Sequence, residues 1–287
     1  MVHEADFYRF VREERLFCAL LAHLLLERGP NLARFLEIIN AKLPENVRRP
    51  VDQLDNVEVY LEFSFLRDQW HTLGQANDIS NAAKRRRIFE LISRVPGLSR
   101  FREEMFPSSI PDFNRFFVGR RGGHIKDDIV YPGQWSVASL SDNVCAKLGA
   151  TSTEFGEFCR FKWSFNIKPD LVVLVPGWRP LCIEAKLESR EGWYPTNAKE
   201  VKLFDDIFGS EQGRVGQIKL QRFMFEYLLG SPCQSVVIGK TLLTEPSEAP
   251  PIFLGWRDVF AQLDLDTSHP FVRRFIGANR HMQPEGH

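Results

Sequence analysis

The sequence lacks the features that mark several large classes of protein. It has five cysteines, an odd number, and no two of them are spaced as C-x-x-C, which disfavours a disulfide framework, a structural zinc site and an iron–sulfur cluster. Its seven histidines form no H-x-E or H-E-x-x-H pattern, which disfavours zinc chemistry. The longest apolar stretch, 16–26, is much shorter than the roughly 20 residues that a membrane span needs. These absences favour a cytoplasmic protein with reduced thiols and no membrane segment.

The charges are balanced, with 37 Lys+Arg against 37 Asp+Glu and a formal net charge of +0. A protein that coats nucleic acid nonspecifically is usually more basic, although a zero total leaves room for a local basic groove. The hydrophobic fraction of 44% and the charged fraction of 26% are typical of a globular protein. A length of 287 residues corresponds to about two domains.

The first part of the sequence has the apolar spacing of helices. Residues 5–42 repeat apolar side chains every three or four positions, with a break at Gly29-Pro30 and with Asn31 as the cap of a second helix. Packing against the rest of the chain is the expected role of this helical hairpin, and binding a partner is the alternative. Residues 57–73 fit either a strand or a helix, and a further helix is predicted at 80–93.

Glycine and proline breakers make residues 94–135 irregular, and the sequence after them favours strands. We predict a helical N-terminal region over 1–110, an irregular basic linker over 111–135 and a second domain over 136–287. Within that domain we predict a helix at 214–229, a short helix at 256–263 and strands at 158–165, 167–175, 181–187 and 235–242. This order favours an α/β fold with a mixed four- or five-stranded sheet flanked by helices.

The strand that begins at Leu181 carries charge although it is otherwise apolar. Alternation along the strand places Glu184 and Lys186 on one face, and a buried charge is costly unless it is paired or metal-bound. Pairing Val175 with Leu181 places Asp170 opposite Lys186, and a shift of one residue moves Asp170 to the other face but keeps it beside the pair. Two carboxylates, water and a backbone carbonyl suit Mg²⁺. A lysine beside them can position water or offset phosphate charge, which predicts metal-assisted phosphodiester hydrolysis.

The motifs Pro169-Asp170 and Glu184-Ala185-Lys186, in these surroundings, resemble the signature of the PD-(D/E)XK nuclease superfamily. The resemblance implies a mixed sheet flanked by helices, in the manner of a restriction endonuclease. It also implies that Asp170, Glu184 and the carbonyl of Ala185 bind Mg²⁺ or Mn²⁺. Lys186 is then the catalytic lysine.

The resemblance covers residues 150–245 and implies two further site residues. Some members carry a polar residue on the helix after the third strand, and Gln217 is our choice over Gln221, one turn later, with a solvated helix face as the alternative. Members also carry an acidic residue on the first core helix, for which we favour Glu62 if its segment is helical. The competing acidic residues are Glu58, Glu154 and Glu157.

Two groups of residues are candidates for binding nucleic acid. Arg120, Arg121 and Lys126 lie in a glycine-containing basic loop that could contact phosphates. Trp178 and Arg179 are expected beside the proposed site, where they could stack on bases. A solvated charged face or a core aromatic is the alternative for each.

The resemblance implies a Mg²⁺-dependent endonuclease that acts on DNA in restriction, antiviral defence or DNA repair. The N-terminal helices would then serve recognition, homodimerisation or docking to a partner protein. One alternative is a catalytically idle, nuclease-like scaffold that only binds nucleic acid. Another is a helical adaptor in which the sheet is incidental.

Overall fold

Helices and strands are interspersed along the chain. The computed structural model describes residues 13–27, 29–52, 54–75, 77–187, 191–209, 213–239, 250–265, 269–279 and 282. The strands are β1 (Glu58–Leu61), β2 (Leu171–Leu174), β3 (Leu181–Ala185), β4 (Trp193–Tyr194), β5 (Val215–Gly216), β6 (Gln234–Gly239) and β7 (Ile252–Gly255). The α-helices are α1 (Glu14–Leu26), α2 (Pro30–Lys42), α3 (Phe65–Thr72), α4 (Asp78–Arg94), α5 (Ile110–Val118), α6 (Val137–Leu140), α7 (Ala146–Leu148), α8 (Ser152–Ser164), α9 (Ala198–Phe208), α10 (Gln217–Phe223), α11 (Trp256–Gln262) and α12 (Pro270–Ala278). Two π-helical segments, Ser141–Cys145 and Met224–Leu228, follow α6 and α10.

These elements form two compact units, each assembled from separate parts of the chain. Unit 1 contains the described residues within 1–63, 169–191 and 233–287, and unit 2 contains those within 64–168 and 192–232. Both units therefore draw on residues from either side of the stretch 111–135. That stretch is not wholly irregular, because α5 extends into it.

Unit 1 is built on a mixed five-stranded sheet with the strand order β1-β2-β3-β6-β7. The first three strands pair antiparallel, and β3, β6 and β7 pair parallel. The predicted α/β class and mixed sheet are confirmed at this level. Strand β7 was not predicted, and β1 resolves the ambiguity of 57–73, since that segment is a strand followed by helix α3.

The apolar faces of α1 and α2 are buried in the core of unit 1, together with apolar side chains of the sheet. The ring of Phe17 lies 5.2 Å from Trp256 and 4.9 Å from Phe275, centroid to centroid. Asn31 is not a helix cap, because α2 begins at Pro30. Instead its side-chain amide exchanges two hydrogen bonds with the backbone of Asp264. The two predicted helices thus pack within the unit.

Unit 2 is mainly helical, with the short sheet β4-β5 and a core rich in aromatic rings, in which Phe117 stacks on Trp135 at 3.9 Å. The strand predicted at 158–165 is wrong, since these residues belong to helix α8 and the residue that follows it. A capping box of Thr151 and Glu154 begins that helix, and its aromatic side chains recur at helical spacing.

None of the described helices is long and apolar enough to cross a membrane.

Replacement of Phe17 by alanine is expected to lower the free energy of unfolding by about 3–5 kcal/mol, because it leaves a cavity between buried rings. Leu26→Ala is the matched control, since Leu26 lies on the same helix and is 55% exposed. That variant should change the free energy by less than about 0.5 kcal/mol. Urea denaturation of both variants measures the difference, and equal losses would contradict this description of the core.

Candidate active site

The residues of the two motifs meet at one end of strands β2 and β3. Asp170 immediately precedes β2, and β3 ends at Ala185. The observed register pairs Val173 with Leu181 and Leu171 with Ile183. One further step along this register places Asp170 opposite Glu184.

The predicted pairing of Asp170 with Lys186 is therefore wrong by two residues. The cause lies in the turn, where the carbonyl of Val175 accepts a hydrogen bond from the Trp178 N–H at 3.0 Å, so that Val175 has left the ladder. A shift by two residues preserves the side of the sheet to which every side chain points. Asp170, Glu184 and Lys186 consequently still share one face.

The Asp170 carboxylate is held by the backbone of the neighbouring strand. Its Oδ2 accepts a hydrogen bond from the Ala185 N–H at 2.8 Å. Because the N–H and C=O of one residue in a strand point to the same side, the carbonyl of Ala185 is directed to the same edge. The Asp170 carboxylate and the Ala185 carbonyl, which both offer oxygen atoms as ligands, therefore lie on the β2 side of β3.

Glu184 and Lys186 form a buried ion pair. Lys186 Nζ donates to Glu184 Oε1 at 2.7 Å, and the two side chains are 11% and 2% exposed respectively. The pairing offsets the cost that each charge would carry alone in this apolar sheet.

The backbone of Lys186 is fixed from two directions. Its N–H donates to the Ile238 carbonyl at 2.8 Å, and its carbonyl accepts from Trp256 Nε1 at 3.3 Å. Strand β6 ends beside it at Gly239, where a Cβ atom would lie 3.0 Å from the Lys186 carbonyl oxygen and 3.3 Å from its Cβ. A larger residue at this position would displace the lysine.

Glu14, in the first turn of α1, reaches the same end of the sheet. Its Oε1 accepts a hydrogen bond from the Leu187 N–H at 2.9 Å. Sequence reasoning missed Glu14 because it sought the first core helix in 57–73, which begins instead with β1. The signal was present, since Glu14 stands one turn before Cys18 on the buried face of the most N-terminal described helix.

The pKa of the buried Cys18 thiol reflects the acidic groups around it. Burial raises the pKa of Cys18 far above its usual range. The negative charges of Asp170, Glu184, Glu14 and Glu62 raise it further. All four carboxylates therefore act on one side chain of α1, which defines an acidic cluster at this end of unit 1.

The prediction required Glu62 to lie on a helix, but it does not. It follows β1 with a φ of 53°, a left-handed conformation that costs a residue other than glycine of order 1–3 kcal/mol. Its N–H donates to the Asp170 carbonyl at 2.9 Å. Its Oε1 lies 3.6 Å from Nε of Arg15. Glu62 thus belongs to the acidic cluster through the end of β1.

Burial and neighbouring charges have opposing effects on the pKa values of Asp170 and Lys186. Burial raises the pKa of Asp170, and this outweighs the hydrogen bond from Ala185 and the charge of Lys186, which lower it. Burial lowers the pKa of Lys186, but the charge and hydrogen bond of Glu184, aided by Glu14 and Asp170, more than reverse this and raise it overall. The surrounding carboxylates therefore favour the protonated form of Lys186.

The donor set suits a hard divalent cation, because carboxylate and carbonyl oxygens are the ligands that Mg²⁺ prefers. In the part of the chain that the structure describes, no three Asp, Glu, His or Cys side chains are grouped closely enough to hold a metal ion. The ammonium of Lys186 contacts Glu184.

The other predicted residues lie away from this edge or in the second unit. Gln217 is the first residue of α10 in unit 2, where its N–H donates to the Gly192 carbonyl at 2.8 Å, and its predicted role stays a prediction. The exposed residues Arg120, Arg121 and Lys126 also belong to unit 2. Their predicted contact with phosphates is likewise untested.

The expectation that Trp178 and Arg179 lie beside the acidic cluster is wrong. Both residues belong to the turn between β2 and β3, whereas Asp170 precedes β2 and Glu184 is near the end of β3. The length of the hairpin therefore separates the turn from the cluster. Trp178 Nε1 donates instead to the Pro50 carbonyl at 3.3 Å.

Glu154, one of the competing acidic residues, has a structural role in unit 2. It completes the capping box of α8 and accepts hydrogen bonds from Arg100 at 2.5 and 2.9 Å. The hydrogen bond from Arg100 is the largest cause of the lowered pKa of Glu154, which falls to about 2 from an ordinary 4.5. Its stabilising effect is therefore present above pH 4.5 and is lost as the pH falls towards 2.

Glu154→Gln should lower the free energy of unfolding by about 1 kcal/mol at pH 7. The deficit should shrink between pH 4.5 and pH 3, because the wild-type carboxylate begins to lose its advantage there. Thermal melts of the wild type and the variant at pH 7, 4.5 and 3 measure the deficit. Glu157→Gln, which removes an i,i+3 pair with Arg160 on the same helix, is the control, and a deficit that stays constant with pH would refute the assignment.

The acidic cluster thus combines oxygen donors, a buried cation and a strained backbone at one edge of a sheet. Carboxylate and carbonyl oxygens are the ligand types that a hard divalent cation takes, and a lysine ammonium beside them is suited to offset the charge of a phosphate. Comparison of the chain with models of protein families, with curated proteins and with solved structures finds no match.

Proposed function

We propose that this chain is a Mg²⁺- or Mn²⁺-dependent nuclease that hydrolyses phosphodiester bonds, with DNA as its substrate. The observation that carries the proposal is the placement of Asp170, Glu184 and Lys186 on one face at the end of two paired strands, with Glu184 and Lys186 joined at 2.7 Å and buried. This arrangement is what the resemblance to the PD-(D/E)XK superfamily requires of the motif residues.

Asp170, Glu184 and the Ala185 carbonyl would hold the metal ion. Glu14 meets the family requirement for an acidic residue on the first core helix better than Glu62, because Glu14 lies on α1 and contacts the backbone just after Lys186. When bound, Mg²⁺ or Mn²⁺ supplies a lower pKa for coordinated water and positive charge against the phosphate.

Lys186 contributes charge and hydrogen bonds. The charge and hydrogen bond of Glu184, with the charges of Glu14 and Asp170, raise its pKa overall despite burial, which favours the ammonium form and an electrostatic role. Its ammonium can hold a water molecule in line with the scissile phosphorus and offset the charge that builds on the phosphate oxygens. The bond to Glu184 fixes it in position for this role.

The setting that we favour is restriction, antiviral defence or DNA repair in the cytoplasm, since many members of the superfamily serve in these processes. The DNA substrate and this setting follow from the resemblance. The geometry of the site supports the proposed hydrolysis of phosphodiester bonds.

Asp170→Ala, Glu184→Ala and Lys186→Ala should each reduce cleavage of supercoiled plasmid in Mg²⁺ or Mn²⁺ by roughly a hundredfold or more. Wild-type activity should disappear in EDTA. Circular dichroism checks that each variant is folded. Unchanged cleavage by all three variants would contradict the proposal. If the folded wild type fails to cleave and titration calorimetry detects no Mn²⁺ binding, the chain is an idle, nuclease-like scaffold.

Glu14→Gln should weaken Mn²⁺ binding and plasmid cleavage by about 10–100-fold, because it removes a charge beside the metal ligands. Glu13→Gln is the matched control, since Glu13 is an exposed neighbour whose carboxylate, among the described residues, accepts a hydrogen bond from the Arg15 N–H. Titration calorimetry and the plasmid assay report on both variants. Equal behaviour of the two would remove Glu14 from the site.

A further inference from the structure

Unit 2 contains a groove of about 760 Å³, which we call the α3 groove. It is lined by residues of α3, of α4 and of the segment 125–134, with Asn166 at its margin. Ligand-binding clefts in proteins commonly have volumes of roughly 300–1,000 Å³. The groove is therefore large enough for a small molecule or for one unit of a polymer.

One wall of the α3 groove is fixed by two buried asparagines. Asn81 exchanges hydrogen bonds with the backbone of Asp127 and Ile129 at 2.8 and 2.9 Å. Asn114 accepts from the Val130 N–H at 2.9 Å and donates to two further carbonyls of the segment. The irregular backbone of this wall is thus held in one conformation before any ligand binds.

The groove has an aromatic surface made by Trp70 and Tyr131. Their ring centroids are 5.7 Å apart and their planes meet at 67°. Tyr131 is held in place because its hydroxyl donates to the Phe165 carbonyl and its ring packs edge-on against that of Phe165. Trp70 is buried and has the Lys84 ammonium over its ring, so the half-buried ring of Tyr131 is the surface suited to stacking on a planar ring.

Basic groups occupy the floor and the rim. Lys84 is buried, with its Nζ 2.5 Å from Asp128 and 5.7 Å from the centroid of Trp70. Since an ammonium has three donors and Asp128 is the acceptor that the described residues provide, donors remain for a ligand. Arg67 and His71 lie one turn apart on α3, are exposed and line the groove. Together they form a rim suited to a phosphate.

Amide groups complete the set. Gln134 is exposed at the groove and Asn166 donates through Nδ2 to the Gly133 carbonyl at 2.7 Å. That bond leaves the Asn166 carbonyl oxygen as an acceptor, and a glutamine amide can pair with the edge of a base through one donor and one acceptor.

We propose that the α3 groove binds a single nucleotide, with the base against Tyr131, the base edge at Gln134 and the phosphate at Arg67 and His71. The ligand is either a free nucleotide or one nucleotide of a nucleic-acid strand. The proposal uses only residues of unit 2, and it stands or falls separately from the nuclease chemistry of unit 1.

The test measures binding by the full-length chain in EDTA, so that cleavage plays no part. Calorimetry uses the four deoxynucleoside monophosphates, and fluorescence anisotropy uses a labelled single-stranded DNA oligonucleotide at the same ionic strength. Arg67→Ala and Gln134→Ala should each weaken binding about tenfold. Arg86→Ala removes an exposed arginine of α4 that does not line the groove and should leave binding within about twofold.

Binding of a monophosphate that the groove variants weaken supports a free nucleotide as the ligand. Binding of the oligonucleotide alone, weakened in the same way, supports a strand as the source. The proposal is overturned if neither probe binds, or if the groove variants and Arg86→Ala behave alike. Plasmid cleavage by Arg67→Ala, followed in parallel with Mg²⁺, separates this outcome from failure of the nuclease proposal.

Discussion

The buried ion pair between Glu184 and Lys186 is the constraint around which unit 1 is arranged. Two charges inside an apolar sheet cost several kcal/mol in lost hydration, and their attraction offsets this only if the geometry is good. The bond of 2.7 Å supplies that geometry. Removal of either partner would leave the charge of the other buried without this ion pair, which is strongly destabilising.

The surrounding backbone is arranged to hold this pair. Strand β6 lies parallel to β3 and accepts the Lys186 N–H, while the indole of Trp256 donates to its carbonyl. Gly239 lets the two strands approach at the level of the lysine. On the other side, the Ala185 N–H has a carboxylate of Asp170 where a continued ladder would offer a carbonyl. The end of the β2 ladder is therefore also where the acidic side chain enters.

Local patterns predicted the parts of the fold that local forces decide. The apolar spacing of α1 and α2 appears as expected, because burial of one face of each helix determines it, and the side chains of β3 alternate as expected although both faces of that strand are buried. The register failed because Val175 joins the turn, which depends on a hydrogen bond within the loop. Helix α8 was mistaken for a strand because its aromatic residues suit strands, while the capping box that begins it outweighs that preference.

The same distinction applies to the acidic cluster. Asp170, Glu184 and Lys186 could be found because they lie in or directly beside two strands that are consecutive in the sequence. Glu14 is separated from Leu187 by 173 positions, and only the packing of α1 on the sheet brings them together. The α3 groove likewise combines a helix with a loop held by Asn81 and Asn114, a tertiary contact that no spacing rule encodes.

Burial of the Asp170 carboxylate lowers the stability of unit 1 at neutral pH. The pKa of Asp170 is raised in the folded state, so the folded protein binds its proton more tightly than the unfolded chain does, and stability is lost as the pH rises through that raised pKa. Glu62 adds a left-handed backbone beside it. An asparagine at 170 would avoid the first cost and could still accept from the Ala185 N–H, and a glycine at 62 would avoid the second. A carboxylate with a raised pKa and a strained backbone at one edge are typical of sites that bind or react, and the cation of the proposed function would offset the charge of that buried carboxylate.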